Sequence, residues 1–323
     1  MKALRALTDL RPTPAAIECE VLAGLARNPK RLPSKYFYDA RGSELFEAIT
    51  LQPEYYLTRI ELALLESCLT EISIAVGPCA HVVEYGSGSG RKTDLLLDAL
   101  ENPVAYTPIE ISRTALLQCV AVLGTQHPKI EMLPVCADFT HAVQLPHAAR
   151  LPARTLVFFP GSTLGNFEAA EAVQLLRAMR ETMGEGGAAL VGIDLVKPAP
   201  IIDAAYNDAA GITAEFTLNL LTRLNREIGS DFDLAAFEHC AEYVVARSRI
   251  ETYLLSQRAQ TVRIGESQRA FAFADGEAIL VEISHKYTDD CFESLAASAG
   301  LAVINAWNDP TDGFGLRLIT RRL

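Results

Sequence analysis

The sequence is short of positive charge. Its 323 residues include 29 lysines and arginines against 40 aspartates and glutamates, a formal net charge of −11. No Lys/Arg-rich run interrupts that balance, so neither a nucleic acid nor an anionic membrane surface is expected as a partner. Long hydrophobic runs are missing as well. The apolar stretches are strand-length and broken by charges, and no membrane span is expected. The opening residues, MKALRALTDLRPTP, are too few and too polar for a secretory signal. Seven cysteines (Cys19, Cys68, Cys79, Cys119, Cys136, Cys240, Cys291) include no two at CxxC spacing. Scattered and odd in number, they read as reduced core thiols of a cytoplasmic protein rather than a disulfide frame. The six histidines show no HxH or HExxH spacing, so no metal site is expected.

What is present is apolar: half of the residues are hydrophobic, enough for one large domain or two intertwined ones. From His81 the chain alternates. HVVEYG, VAYTPIEI, IEMLPVCAD, TLVFFPGS and AALVGIDLV read as strands. RKTDLLLDAL, SRTALLQCVAVLGTQHP and EAAEAVQLLRAMRETM read as helices between them, with Ser112 as a helix cap. Such alternation predicts an α/β doubly wound, largely parallel sheet. The rhythm then breaks. ITAEFTLNLLTRLNREIG and LAAFEHCAEYVV are expected as helices, and RIETYLLSQRAQTVRI as strand. It returns with the helix TDDCFESLAASAG, capped by Thr288, and the strands LAVINAWND and FGLRLITRRL. The expected layout is one α/β domain, 60–198 plus 287–323, carrying an inserted smaller domain, 10–59 plus 199–286.

The segment ILVEISHKY is an apolar strand interrupted by a carboxylate. Side chains of a strand alternate faces, so Glu282 and Ser284 point the same way, with Leu280 and Lys286. The segment alone fits an edge strand with one wetted face as well as the wall of a polar-ligand pocket.

The loop EYGSGSGRK carries Gly86, Gly88 and Gly90 behind Glu84. Its GxGxG spacing differs from the GxGxxG of nicotinamide dehydrogenases. It resembles the first motif of class I S-adenosylmethionine-dependent methyltransferases, where the glycines back the cofactor. Glu110 ends the second strand, 24 residues after Gly86, where an acid can accept both ribose hydroxyls. Asp138 and Phe139 end the third strand at the position that faces the adenine in this fold. Lys92 opens the first helix, directly after the glycine loop, and could neutralise the cofactor's carboxylate. After the fourth strand, PGSTLGNF holds Gly161, Gly165 and Asn166 in a polar loop at a carboxyl strand end, the usual ligand side of such sheets.

YFYDARGSELFEAITLQPEYYLTR, GSGSGRKT, PGSTLGNF, DLVK, AAYNDAAGITAEF and VEISHKY together resemble the L-histidine Nα-methyltransferase family, over about residues 32–318. Those enzymes make hercynine, the first step of ergothioneine biosynthesis. The resemblance implies S-adenosylmethionine as methyl donor and L-histidine as the small-molecule substrate. It implies substrate contacts at Tyr55, Gly161, Asn166, Tyr206, Glu282 and Ser284. Asn166 and Tyr206 would hold the carboxylate, and Tyr55, Glu282 and Ser284 the imidazole. Tyr38, Gly86, Gly88, Lys92, Glu110, Asp138 and Phe139 would hold the cofactor, with Tyr38 also a candidate amine-side contact. Two residues depart from the family pattern: Glu110 stands where the shorter aspartate is expected, and Thr252 where methionine is expected. Thr252 therefore leaves open the same chemistry on another amino acid or small amine. A non-catalytic S-adenosylmethionine-binding regulator is the alternative of a different class. The protein is expected to be a monomer.

Overall fold

The computed structural model describes residues 7–141, 143–311 and 313–322. The strands read for the α/β domain come together in one large sheet. Its order is Thr8–Leu10, Val135–Ala137, Ala105–Glu110, Ala80–Tyr85, Arg154–Phe159, Ala188–Asp194, Phe314–Arg321, Leu301–Asn308. Glu131–Met132 pairs with Ala105–Glu110 off this path. Neighbours as far as Ala188–Asp194 run parallel, and Phe314–Arg321 is antiparallel to both strands beside it. This is the doubly wound α/β arrangement that the alternation predicts.

The central strands are buried along their whole length because helices cover both faces. Strand alternation divides their side chains between two cores. Val82, Phe158 and Leu190 pack with Leu65, Ile72, Leu96 and Leu123. Their neighbours Val83, Phe159 and Val191 pack with Leu176, Met179 and Phe292 on the other side. Each fully buried aliphatic or aromatic side chain contributes about 1.5–3 kcal/mol. Both expected caps form: Ser112 Oγ accepts from Ala115 N, and Thr288 Oγ1 accepts from Cys291 N at 3.2 Å. Among the described residues no helix is long and apolar enough to cross a membrane.

Contacts divide the chain into two units. The larger holds the segment ending at Arg11, Leu57–Lys197 and the chain from His285 onward; the smaller holds Pro12–Tyr56 and Pro198–Ser284. The N-terminal stretch is therefore split. Thr8–Leu10 pairs in parallel with Val135–Ala137 in the larger unit, instead of joining the insertion whole.

The smaller unit has a sheet in the order Lys30–Arg31, Ala278–His285, Arg249–Ser256, Phe237–Val244, and a hairpin of Gln260–Ile264 with Arg269–Phe273. Helix Ile212–Ile228 buries Phe216, Leu220, Leu221 and Leu224 on one face, and helix Ala40–Thr50 packs against it. One expected helix is a strand. LAAFEHCAEYVV forms a short 3-10 turn, Leu234–Ala236, and then Phe237–Val244, paired from Phe237↔Ser256 to Val244↔Arg249. Its alanines and glutamates favour helix locally, but eight paired positions along an edge override that preference.

Candidate functional site

In the larger unit, the glycine loop turns because Gly86, Gly88 and Gly90 all have positive φ, at 80°, 47° and 75°. A side chain at Gly90 would collide with Cys119 Sγ at 2.8 Å, whereas Gly88 faces open space. Gly88 N donates to Glu110 Oε2 at 3.3 Å, and Ser112 N donates to Glu110 Oε1 at 2.9 Å. Burial raises the pKa of Glu110, and these amides oppose that rise by stabilising the carboxylate. Beneath the loop, Glu84 is fully buried and accepts from Thr93 Oγ1 at 2.7 Å and from the Tyr106 hydroxyl. Burial pushes its pKa up to about 8 against the pull of those two hydroxyls.

Asp138 turns back on its own chain: its Oδ1 accepts from Thr140 N at 2.9 Å and Thr140 Oγ1 at 2.6 Å, and His141 Nδ1 lies 3.2 Å from Oδ2. Phe139 packs tilted against Tyr85 and edge-on with Phe159 and Phe167, and its ring edge reaches the space beside Gly86. Lys92 already has a carboxylate within the protein. It pairs with Glu61, which is 1% exposed and accepts from Gly161 N through Oε1 at 2.8 Å and Oε2 at 3.0 Å. Gly192 makes the room, since a Cβ there would lie 2.4 Å from Glu61 Oε1.

The loop after Arg154–Phe159 is held at both ends. Ser162, at φ 56°, accepts from Asp194 N through its hydroxyl at 2.9 Å. The buried Asp194 carboxylate carries Lys286 at 2.8 Å and also pairs with Lys197, whose pKa burial lowers. Gly165 lies against the backbone of His285, where a Cβ would meet the carbonyl oxygen at 2.7 Å. Asn166 ends the 3-10 turn Thr163–Asn166 and is partly exposed.

In the smaller unit, Tyr206 ends helix Ala199–Tyr206 and donates its hydroxyl to Ser284 Oγ at 2.9 Å. Its carbonyl oxygen is held by His239 Nε2 at 3.0 Å. Burial lowers the His239 pKa, which favours the neutral ring. Strand Ala278–His285 is internal to its sheet and buries Leu280, Val281, Ile283 and Ser284, leaving Glu282 partly exposed. The face that Glu282 shares with Leu280, Ser284 and Lys286 is mostly buried and is not a wetted face, and the pairing with Lys30–Arg31 covers Ile279 and Leu280. Tyr38 and Tyr55 each pack on Phe46, with ring centroids 5.7 and 6.2 Å away. Asp39, beside Tyr38, caps helix Ala40–Thr50 through Gly42 N and is held by Asn219 and Arg226. Thr252 is 1% exposed, and its hydroxyl has no hydrogen-bond partner among the described residues.

Sequence reading missed Glu61, Asp194 with Lys286, and His239. Glu61 left a trace, because it lies on the apolar stripe of helix Leu57–Val76 with Leu57, Leu64, Leu65, Cys68 and Ile72. A charge there demands a partner.

The family model for histidine-specific, S-adenosylmethionine-dependent methyltransferases matches residues 17–321. The chain is 41% identical over 310 residues to the histidine N-alpha-methyltransferase of Mycolicibacterium smegmatis, covering 95% of each protein. It is 37% identical over 310 residues to the histidine N-alpha-methyltransferase of Mycobacterium tuberculosis, again covering 95% of each. It is 31% identical over 301 residues to ergothioneine biosynthesis protein 1 of Neurospora crassa, covering 91% of this chain and 33% of that protein. A match over nearly the whole chain, glycine loop and both units included, makes this protein a member of the histidine-specific, S-adenosylmethionine-dependent methyltransferase family.

Proposed function

We propose that the chain methylates the α-amino nitrogen of free L-histidine three times, giving hercynine for ergothioneine biosynthesis. The observation that carries this reading is the Tyr206–Ser284 hydrogen bond, with Glu282 two residues along the same strand. A hydroxyl pair between helix and strand, with a carboxylate on the same strand, suits a substrate with a carboxylate at one end and two ring nitrogens at the other. In this reading Asn166 and Tyr206 hold the carboxylate, while Glu282 accepts the ring N–H and Ser284 and Tyr55 complete the imidazole contacts. Apolar amino acids are rejected because they bring no hydrogen-bond donor to the Glu282 carboxylate.

Open space at Gly88 beside the buried Glu110 carboxylate fits a ribose diol, and the Phe139 ring beside Gly86 fits an adenine. Gly86, Gly88, Glu110, Asp138, Phe139, Lys92 and Tyr38 would hold the cofactor. Bound S-adenosylmethionine supplies a methyl group already activated by its sulfonium, so the reading gives no task to a metal. The protein's part is to select the neutral amine and hold it in line, with Tyr38 on the amine side. We also infer a cytoplasmic monomer with no nucleic-acid or membrane partner.

The buried Thr252 hydroxyl favours one second reading, methylation of another amino acid or a small amine. Mass spectrometry of an amino-acid panel incubated with protein and S-adenosylmethionine tests both. Trimethylhistidine as the main product is expected. Preference for another amino acid would replace histidine in the reading, and no turnover on any would favour a non-catalytic regulator.

A further inference from the structure

Glu61 sits 100 positions from Gly161 in sequence, yet its carboxylate holds two loops of the larger unit at once. One is the glycine-loop helix, through Lys92; the other is the loop carrying Asn166, through Gly161 N. Gly161 has φ 80° and opens that loop, so a charge-assisted bond at its amide fixes where the turn begins. The Lys92 side chain is mostly buried, at 18% exposed, and its ammonium lies beside Gly161. An ammonium in such a place interacts strongly with whichever carboxylate approaches it. It has three donors, so Glu61 and a ligand carboxylate can both reach it, each weakening the other's hold.

We propose that Glu61 is a positioning residue that sets the histidine loop through Gly161 and moderates the grip of Lys92 on the cofactor's carboxylate. The inference rests on the proposed roles of Lys92 and Asn166. Its signature is that two affinities move in opposite directions. A charge that served only to hold the helix in place would weaken both when removed.

Calorimetric titration with S-adenosylhomocysteine, and with histidine at saturating S-adenosylhomocysteine, reads both affinities. Thermal melting of each variant reports folding. In Glu61→Gln the histidine Kd should rise about tenfold, on the scale of one charge-assisted bond. The S-adenosylhomocysteine Kd should fall about threefold, because Lys92 is left with the ligand as its anion. Glu61→Asp keeps the charge near Lys92 but draws back from Gly161. It should weaken histidine and leave S-adenosylhomocysteine unchanged, which preserves the test if Glu61→Gln does not fold. Parallel weakening of both ligands, no change in either, or collapse of both variants overturns the inference. Lys92→Ala separates the two levels. It should weaken S-adenosylhomocysteine. If it does not, the cofactor role of Lys92 fails and this inference with it; if it does while the Glu61 variants shift both ligands together, only this inference falls.

Discussion

At the residue scale, Glu84 is a carboxyl buried beneath the glycine loop. A carboxyl whose pKa rises from about 4.5 unfolded to about 8 folded binds a proton in the native state across that interval. Its contribution is fully present below the unfolded value and is lost as pH rises through the folded one. Glu84→Gln keeps an acceptor for Thr93 and Tyr106 but cannot ionise. The variant should therefore gain stability relative to wild type on going from pH 5 to pH 9, by more than about 1 kcal/mol, since one pKa unit is worth about 1.4. Paired thermal or urea melts across that range measure it, and a difference that stays flat would show Glu84 ionised throughout. Glu110 differs, because two backbone amides hold its oxygens. If it also accepts the ribose hydroxyls, Glu110→Ala should cost about 1.5–3 kcal/mol of S-adenosylmethionine affinity. Titration showing wild-type affinity would remove it from the cofactor site.

At the element scale, the strand Ala278–His285 decides specificity in the proposed reading. Glu282→Ala should lower histidine kcat/KM by an amount worth about 2–4 kcal/mol, the range for truncating one partner of a charged pair that the bound ring desolvates. It should also raise turnover of tryptophan or phenylalanine, since the carboxylate no longer penalises an apolar ring. Competition between histidine and tryptophan on both proteins reads the ratio; an unmoved ratio would make Glu282 structural. The face-sharing of Glu282 with Ser284 was legible, because alternation along a strand is a local property. So were the central strands, whose apolar runs say that both faces are covered. Phe237–Val244 was not: its residues favour helix by themselves, and only the pairing partner makes them a strand. Thr8–Leu10 was invisible for the same reason, three residues being too short for a period to show. Glu61 was half legible, since the apolar stripe marks it as buried but nothing local names Gly161 as its partner. The positive φ of Ser162 likewise depends on Asp194, 32 residues away.

At the scale of the whole molecule, the proposed contacts fall unequally on the two units. The cofactor residues other than Tyr38 belong to the larger unit, together with Gly161 and Asn166. Tyr38, Tyr55, Tyr206, Glu282 and Ser284 belong to the smaller. Each unit has its own sheet and its own pairing partners, so ligand linkage can be read separately in each. A ligand that binds only the folded form at 100 times its Kd adds about 2.7 kcal/mol of protection to the amides whose opening breaks its site. Hydrogen exchange with S-adenosylhomocysteine alone should slow the segments around Gly88, Ser112 and Asp138, by up to about 100-fold where opening abolishes binding. Adding histidine should slow further segments, around Asn166 in the larger unit and around Tyr206 and Ser284 in the smaller. Histamine, which lacks the carboxylate, should protect the Glu282 and Ser284 strand much less well, because its affinity loses the Asn166 and Tyr206 contacts. If histidine leaves the exchange of the smaller unit unchanged, the roles given to Tyr206, Glu282 and Ser284 are wrong, and the substrate is recognised by the larger unit alone.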